Sequence, residues 1–191
     1  MKFFDYLEAI KDNYAVAYIG RFCPPHEGHL NVFRKLQSKF GDKNVYIITS
    51  DKSKTSQLSF AQKIELFKMY GINTGFVRKM EASGYNAPAI MQATGEPETK
   101  SLIVAMGAKD AERLVIDKPK KSGEPSYFTM YKGEVSEPST KRGYVYIIPN
   151  ETSNDKVISA TQIRNAEKYS DVKDIIPEGV FNKVKEFLHA Q

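Results

Sequence analysis

Continuous apolar runs alternate with amphipathic stretches along the chain. Four runs are long and apolar enough to predict buried strands: "YAVAYIG" (14–20), "NVYIITS" (44–50), "SLIVAMG" (101–107) and "GYVYIIP" (143–149). A weaker run, "GFVRKM" (75–80), predicts a shorter strand. Strands that are apolar throughout are typical of parallel sheets, because crossover connections cover both faces of such a sheet.

Between the strands, apolar residues at a spacing of three and four predict helices. These helices cover 27–40, 59–71, 87–94 and a segment that starts at 109, and two more are expected within 159–191. Alternating strands and helices predict an α/β protein with a parallel sheet and helices on both faces. A chain of 191 residues has the usual length of one domain, so we expect a single domain over 1–191.

Two of the helices carry more specific expectations. In 59–71, Ser59 is the expected N-cap, and the apolar face is expected to consist of Ile64, Phe67 and Met69 or Tyr70. The stretch "MKFFDYLEAIKDN" (1–13) contains three acidic residues. They argue against a signal peptide and predict a short amphipathic helix.

The segment 117–142 departs from this pattern. It contains three prolines and many charged residues, and it predicts a long insertion loop with a short hairpin around "YFTMY". Such a loop is either a lid over a functional site or a solvated connection, and both interpretations are open.

Composition and charge narrow the class of protein only a little. Apolar residues make up 41% of the chain and charged residues 27%, as in soluble globular proteins, and no apolar run is long enough for a membrane span. The single cysteine, Cys23, cannot form an internal disulfide, which fits a cytoplasmic protein. The net charge of +5 suits a polyanionic small molecule but is also common in proteins that bind nothing charged, and it favours nucleic acid only weakly. A homo-oligomer is left open.

Two of the three histidines follow directly on the first predicted strand. The stretch "GRFCPPHEGHL" (20–30) places His26 and His29 three residues apart, with Gly28 between them. Ligands of open α/β sheets bind beyond the carboxyl ends of the strands, so we expect this stretch at the mouth of the binding crevice. Gly20 permits a tight turn, and Gly28 lets a ligand approach the backbone where the next helix begins.

Three interpretations of this histidine pair are open at this point. Both side chains could be polar surface groups. They could bind zinc, for which the other candidate ligands are Cys23 and His189. They could also donate to the phosphates of a nucleoside triphosphate, because helix N-termini attract phosphate and both imidazoles can reach one anion there.

Two motifs give the phosphate interpretation its context. "GRFCPPHEGHL" resembles the G-x-F-x-P-x-H-x-G-H signature of the HxGH nucleotidyltransferases, and "ISATQIR" (158–164) resembles the family's second motif, I-S-[ST]-x-x-I-R. The motifs stand in the family's order, and each lies at a predicted junction of strand and helix. Departures are Ala160 within the second motif, Lys63 where the family's Glu-Arg helix has arginine, and Lys109 inside a segment that resembles the family's G-x-D.

The resemblance implies a Rossmann-like sheet, the fold of the HIGH superfamily, and nucleotidyl transfer from a nucleoside triphosphate. It implies that His26 and His29 contact the α- and β-phosphates, with His29 nearest the developing charge, and that Arg164 binds the leaving pyrophosphate. The hydroxyls and backbone N–H groups of Ser159 and Thr161 would hold the β- and γ-phosphates. The remaining site residues implied are Gly20, Arg21, Phe22 and Gly28 at the phosphates, and Gly107 and Asp110 at the base or the acceptor.

The same resemblance implies the small molecules involved. Mg²⁺ would arrive on the triphosphate, so no protein metal ligands are expected. Arg21 makes the motif most similar to archaeal-type nicotinamide mononucleotide (NMN) adenylyltransferases, which implies ATP as donor and NAD as product. A cytidylyltransferase or another adenylyltransferase of the family with a different acceptor stays open, as does a non-catalytic nucleotide-binding module.

Overall fold

A computed structural model of the chain describes residues 13–54, 56–81, 86–114, 116–119, 123–149, 152–153, 156–157 and 159–189. The amphipathic helix expected at the N-terminus and Ile158 of the second motif lie outside these residues.

The centre of the fold is a parallel sheet. Its strands are β1 (Tyr14–Ile19), β2 (Val45–Thr49), β3 (Val77–Lys79), β4 (Ser101–Gly107), β5 (Phe128–Met130) and β6 (Gly143–Ile148). Their order is β3-β2-β1-β4-β6-β5, and each neighbouring pair is parallel. A short antiparallel ladder follows, formed by β7 (Thr152–Ser153) and β8 (Lys156–Val157).

Helices cover both faces of this sheet. They are α1 (Glu27–Phe40), α2 (Phe60–Met69), α3 (Ala87–Thr94), α4 (Ala108–Ala111), α5 (Ala160–Asn165) and α6 (Glu178–His189). Successive side chains of β1 point to opposite faces, so Val16 packs with Leu30 of α1, whereas Ala17 packs with Ile90 of α3. This confirms the prediction of an α/β protein with a Rossmann-like parallel sheet and helices on both faces.

The strand order indicates where the binding crevice lies. From β1 the chain proceeds outward to β2 and β3, then returns to pair β4 with the other side of β1. The switch point therefore lies between β1 and β4, and ligands of such sheets bind at the carboxyl ends of these strands. Gly20 follows the end of β1, and Gly107 is the last residue of β4.

Of the predicted apolar face of α2, Phe67 is buried and Ile64 and Tyr70 pack against the same cluster, whereas Met69, the alternative to Tyr70, is 46% exposed. The buried residues of α2 are Lys63, Leu66 and Phe67. Phe67 packs in the cluster beside the sheet, while Leu66 packs with Val184 of α6. Because α2 is buried on two sides, its pattern of apolar positions is not that of a helix lying on a single surface.

The segment 117–142 contains a strand where a hairpin was expected. Phe128–Met130 forms β5, which pairs in parallel with β6. Tyr127 donates a hydrogen bond to the Ser139 carbonyl, and the Ser139 N–H donates to the Lys100 carbonyl at 2.8 Å. These bonds attach Tyr127 and Ser139 of the segment near the amino ends of β4 and β6.

Two helices are shorter than the sequence predicts. Helix α5 stops at Asn165, because Ala166 adopts an extended conformation, and a 3₁₀ turn follows at Tyr169–Asp171. The helix predicted from residue 109 is confined to Ala108–Ala111. Among the described helices, none has the length and apolar character to cross a membrane.

Candidate functional site

A cleft of about 500 Å³ lies at the carboxyl ends of β1, β4 and β6. This volume falls in the usual range for small-molecule sites. The cleft brings together all the residues that the resemblance implies for the phosphates, the base or the acceptor: Gly20, Arg21, Phe22, His26, Gly28, His29, Gly107, Asp110, Ser159, Thr161 and Arg164. Its lining also includes Cys23, a candidate ligand in the zinc interpretation, and residues that had no expected role: Tyr18, Ile19, Val32, Ile148, Pro149 and Ala160.

The turn after β1 is built around the ring of Phe22. This residue has a φ of 44°, and its side chain is 2% exposed. The ring centroid lies 5.1 Å from that of Tyr18 and 4.9 Å from that of His29, both in edge-on geometry. A Cβ atom added to Gly20 would lie 2.7 Å from Cζ of Phe22. The absence of a side chain at Gly20 therefore leaves room for the Phe22 ring, which packs against His29.

Gly20→Ala is expected to destabilise the protein, because the added methyl group must displace the Phe22 ring. Overpacking of this kind costs about 1–3 kcal/mol, and each kcal/mol lowers the Tm of a domain of this size by about 2–4 °C. Thermal unfolding followed by circular dichroism measures the shift.

Gly107→Ala is the matched control. Gly107 lines the same cleft, but a Cβ there lies more than 4 Å from every atom of the described residues that could obstruct it, and its φ of -67° suits any residue. An equal loss of Tm in both variants would show that the Phe22 ring is not the cause.

His26 and His29 lie against each other at the start of α1. Their rings stack with a centroid distance of 3.6 Å and an interplanar angle of 26°. His26 is the N-cap residue of α1, yet its side chain makes no capping hydrogen bond. Within the described part of the chain, the Nδ1 atoms of both rings are shielded from solvent and lack a hydrogen-bond partner.

The surroundings of the two rings favour their neutral forms. Burial lowers the pKa of His26 to about 4. Burial, together with the neighbouring His26, holds the pKa of His29 well below its usual range. Two imidazolium charges at this separation would also repel each other. Both rings are therefore neutral near pH 7 unless a polyanion lies beside them.

The second motif begins helix α5 with a capping box. The Ser159 hydroxyl oxygen accepts from the Gln162 N–H at 3.3 Å, and Gln162 Oε1 accepts from the Ser159 N–H at 3.0 Å. The backbone N–H of Ser159 is thus engaged within the helix cap, contrary to the role expected for it as a phosphate donor. The hydrogen of the Ser159 hydroxyl can still be donated.

Arg164 connects the second motif to the first. Its Nη1 donates a hydrogen bond to the Cys23 carbonyl, and its Nη2 donates to Thr161 Oγ1 at 2.9 Å. The Lys185 ammonium donates to the Arg164 carbonyl at 3.0 Å, which attaches the end of α5 to α6. The guanidinium therefore sits in the cleft with its direction fixed by neighbours from both motifs.

Acidic side chains contribute little to the described cleft. Asp110 lies in the first turn of α4 and forms an ion pair of 3.2 Å with Arg113. No cluster of three His, Cys, Asp or Glu side chains that could hold a metal ion occurs in the residues that the structure describes. The zinc interpretation of His26 and His29 therefore has no ligand set in that part of the chain.

Sequence reasoning missed the burial of two polar residues next to the turn after β1, one of which, Lys63, was noted only as a departure from the family's Glu-Arg helix. Lys63 of α2 and Thr49 of β2 are both buried, and the Thr49 hydroxyl donates to the Arg21 carbonyl at 3.2 Å. A lysine at a buried position of an amphipathic helix is the signal that could have identified them. The pattern alone did not identify them, because it did not include Lys63 among the buried positions of this helix.

The chain belongs to the Cytidylyltransferase-like family, whose sequence profile matches residues 17–166. This range begins in β1 and ends just after Arg164, so it contains both motifs and every residue selected for the cleft. The resemblance to the nucleotidyltransferases is thereby confirmed. No curated protein sequence matches the chain.

The solved structures that are similar to this chain include two adenylyltransferases. One is a Plasmodium falciparum nicotinic acid mononucleotide adenylyltransferase complexed with NaAD, with a TM-score of 0.59 and 14% identity over 92% of this chain and 96% of that one. The other is a bifunctional NMN adenylyltransferase/ADP ribose pyrophosphatase from Francisella tularensis, with a TM-score of 0.52 and 15% identity over 93% of this chain and 51% of that one. At such identities the likeness establishes the Rossmann-like fold alone.

Proposed function

We propose that this protein transfers AMP from ATP to the phosphate of NMN, giving NAD and pyrophosphate. One observation carries the proposal: the stacked pair of His26 and His29 shares a cleft with Arg21 and Arg164. Four donors of this kind around one cleft, with a single carboxylate in its described lining, suit a polyphosphate.

The burial of the Nδ1 atoms indicates which nitrogen of each histidine meets the phosphates. An unpaired buried N–H is less favourable than an unpaired lone pair, so the proton of each neutral ring is expected on Nε2. Each ring then presents an Nε2–H donor to the cleft. A bound polyanion also raises the pKa of both rings, because it stabilises their protonated forms.

The reaction needs positioning and charge stabilisation rather than a protein nucleophile. An oxygen of the acceptor phosphate attacks the α-phosphorus and forms the new P–O bond. The bond between the α-phosphorus and the bridging oxygen breaks, and its electron pair leaves with pyrophosphate. A phosphate dianion is already nucleophilic near neutral pH, so no general base is required, and the rate depends on alignment and on donors at the developing charge.

The cleft residues divide these tasks between the two ends of the triphosphate. His29, supported by Phe22, would donate to the α-phosphate, where charge develops, while His26 donates to the β-phosphate. Arg164 would bind the β- and γ-phosphates as a planar fork, together with the Ser159 hydroxyl. Mg²⁺ would be supplied on the phosphates and would keep most of its water ligands, so no protein metal ligand is assigned.

The acceptor is proposed from the relatives in fold. The solved structures above are named as adenylyltransferases acting on nicotinic acid mononucleotide or NMN. Arg21 of the first motif supports the same subfamily. Gly107 and Asp110 line the cleft where β4 ends and α4 begins, and we assign them to the base or the acceptor.

A panel of donors and acceptors tests this function. The protein with Mg²⁺ is incubated with ATP or CTP and with NMN, nicotinic acid mononucleotide, 4′-phosphopantetheine or glycerol 3-phosphate, and pyrophosphate release is measured. The fastest release is expected with ATP and NMN, and NAD should form in equal amount. Reactions without acceptor and without protein are the controls.

Two results would contradict the proposal in different ways. Faster turnover of CTP, or of an acceptor without a pyridine base, would keep the reaction type and replace the substrates. No pyrophosphate above the controls for any pair would leave a nucleotide-binding module without catalysis.

A further inference from the structure

Lys63 is a fully buried lysine on the inner side of α2. Its exposed fraction is 0%, whereas Lys68 on the same helix is exposed to solvent. Burying an ammonium group is unfavourable by several kcal/mol unless hydrogen bonds and nearby charges compensate for the lost water. We therefore expect the buried ammonium group of Lys63 to have a role in the structure or in the site.

The ammonium group contacts the carboxyl end of β2. Its Nζ donates to the Ser50 carbonyl at 2.7 Å and to Thr49 Oγ1 at 3.2 Å. The Thr49 hydroxyl in turn donates to the Arg21 carbonyl at 3.2 Å. A chain of two hydrogen bonds thus connects Lys63 to the turn that follows β1.

The direction of this chain is determined by the ammonium group. A protonated lysine can only donate, so Thr49 Oγ1 must accept from it and directs its own single hydrogen to Arg21. Burial lowers the pKa of Lys63, and the neighbouring Cys23 and Asp51 oppose this shift. Without a donor at position 63, the Thr49 hydroxyl is free to rotate away from the turn.

We propose that Lys63 is a positioning residue for the phosphate-binding turn 20–23, acting through Thr49. Neither residue is part of the described lining of the cleft, so the effect is transmitted through the Arg21 backbone. The expected effect of Lys63 on the reaction rate rests on the proposed function. Its effect on the turn itself can be measured without catalysis.

The kinetic test compares variants that interrupt the hydrogen-bond chain at different points. Lys63→Met and Thr49→Val should each lower kcat/KM about tenfold, because a small displacement of a binding group is enough for such a loss. The double variant should lose no more than either single variant, since both remove the same connection. Lys63→Arg should retain most of the activity, because a guanidinium is also a pure donor.

Lys68→Met is the matched control, because it makes the same change on the exposed side of α2. Equal kinetics for Lys63→Met and Lys68→Met would overturn the proposal. Additive losses in the double variant would overturn it as well, because the two residues would then act independently. Should Lys63→Met fail to fold, Thr49→Val still tests the chain without removing the buried ammonium.

Hydrogen–deuterium exchange separates this proposal from the proposed function. Backbone amides in a peptide covering 18–26 should exchange faster in Lys63→Met and Thr49→Val than in the unmodified protein or in Lys68→Met. Unchanged exchange in both variants would overturn the positioning role even if the enzyme is active. Faster exchange in a protein that transfers no nucleotide would support positioning of the turn and contradict only the proposed reaction.

Discussion

His29→Ala is expected to lower kcat about a hundredfold or more while changing the affinity for the triphosphate much less. The reason is that a preorganised donor at the developing charge stabilises the transition state more than the bound substrate. His29 is held in place by the His26 ring at 3.6 Å and by the Phe22 ring at 4.9 Å, so it needs little reorganisation during the reaction. Steady-state pyrophosphate release gives kcat, and calorimetry gives the affinity.

His189→Ala is the matched control, because the third histidine of the chain ends α6 and is exposed. It should leave kcat unchanged. A His29→Ala variant with unchanged kcat would assign the ring to packing against Phe22. A similar fall in affinity and in kcat/KM, with kcat preserved, would mean that the ring binds the ground state and the transition state equally.

Two amide substitutions examine which nitrogen of His29 donates. The side-chain NH₂ of glutamine reaches about as far as Nε2 of histidine, and that of asparagine about as far as Nδ1. Since Nδ1 is buried and has no hydrogen-bond partner among the residues that the structure describes, His29→Gln should retain more activity than His29→Asn. The reverse order would contradict the assignment of the donor to Nε2.

The buried strands of the fold could be predicted because their pattern is local. In β1, β2 and β4 almost every residue is apolar, and strands buried on both faces need little more information. Strand β5 is different, because it has three residues and pairs with β6 across a long connection. Its place depends on the rings of Tyr127 and Phe128, which occupy the space that a side chain at Gly143 would fill. A contact between distant residues of this kind leaves no periodic signal in the sequence.

The site shows the same division between local and long-range information. Motif spacing was enough to select His26 and His29, because both lie within one turn of the same helix. It could not reveal that Arg164 donates to the Cys23 carbonyl 141 residues away. It also could not reveal that Gln162 occupies the Ser159 N–H, because either residue could have turned outward. Hydrogen bonds of this kind are decided by competition among nearby groups in the folded protein.

Arg164→Ala is expected to weaken triphosphate use and pyrophosphorolysis together, each by about a hundredfold, while sparing binding of the monophosphate acceptor. The β- and γ-phosphates of the forward reaction are the pyrophosphate of the reverse reaction, so one guanidinium serves both directions. Two parallel N–H groups match two phosphate oxygens, which makes this contact stronger than that of a point charge. Kinetics in both directions, with calorimetry for the acceptor, measure the three effects.

Arg34→Ala is the control for the loss of an arginine as such. Arg34 lies on α1 and forms an exposed ion pair with Glu27 at 3.8 Å, a contact that contributes about 0–1 kcal/mol. Its removal should leave both directions of the reaction unchanged. Equal losses of acceptor and triphosphate binding in Arg164→Ala would contradict a specific role at the β- and γ-phosphates.

A further test must distinguish binding of phosphate by Arg164 from its contacts within the protein. Its guanidinium also holds the Cys23 carbonyl and Thr161 Oγ1, so the alanine variant removes an anchor of the first motif as well as a phosphate ligand. Arg164→Lys can restore a positive charge and one hydrogen bond, but not the fork. If the arginine acts mainly as an anchor, lysine should recover the stability and the activity in parallel. If it acts on phosphate, lysine should recover the Tm while both triphosphate use and pyrophosphorolysis remain low, and we expect this second result.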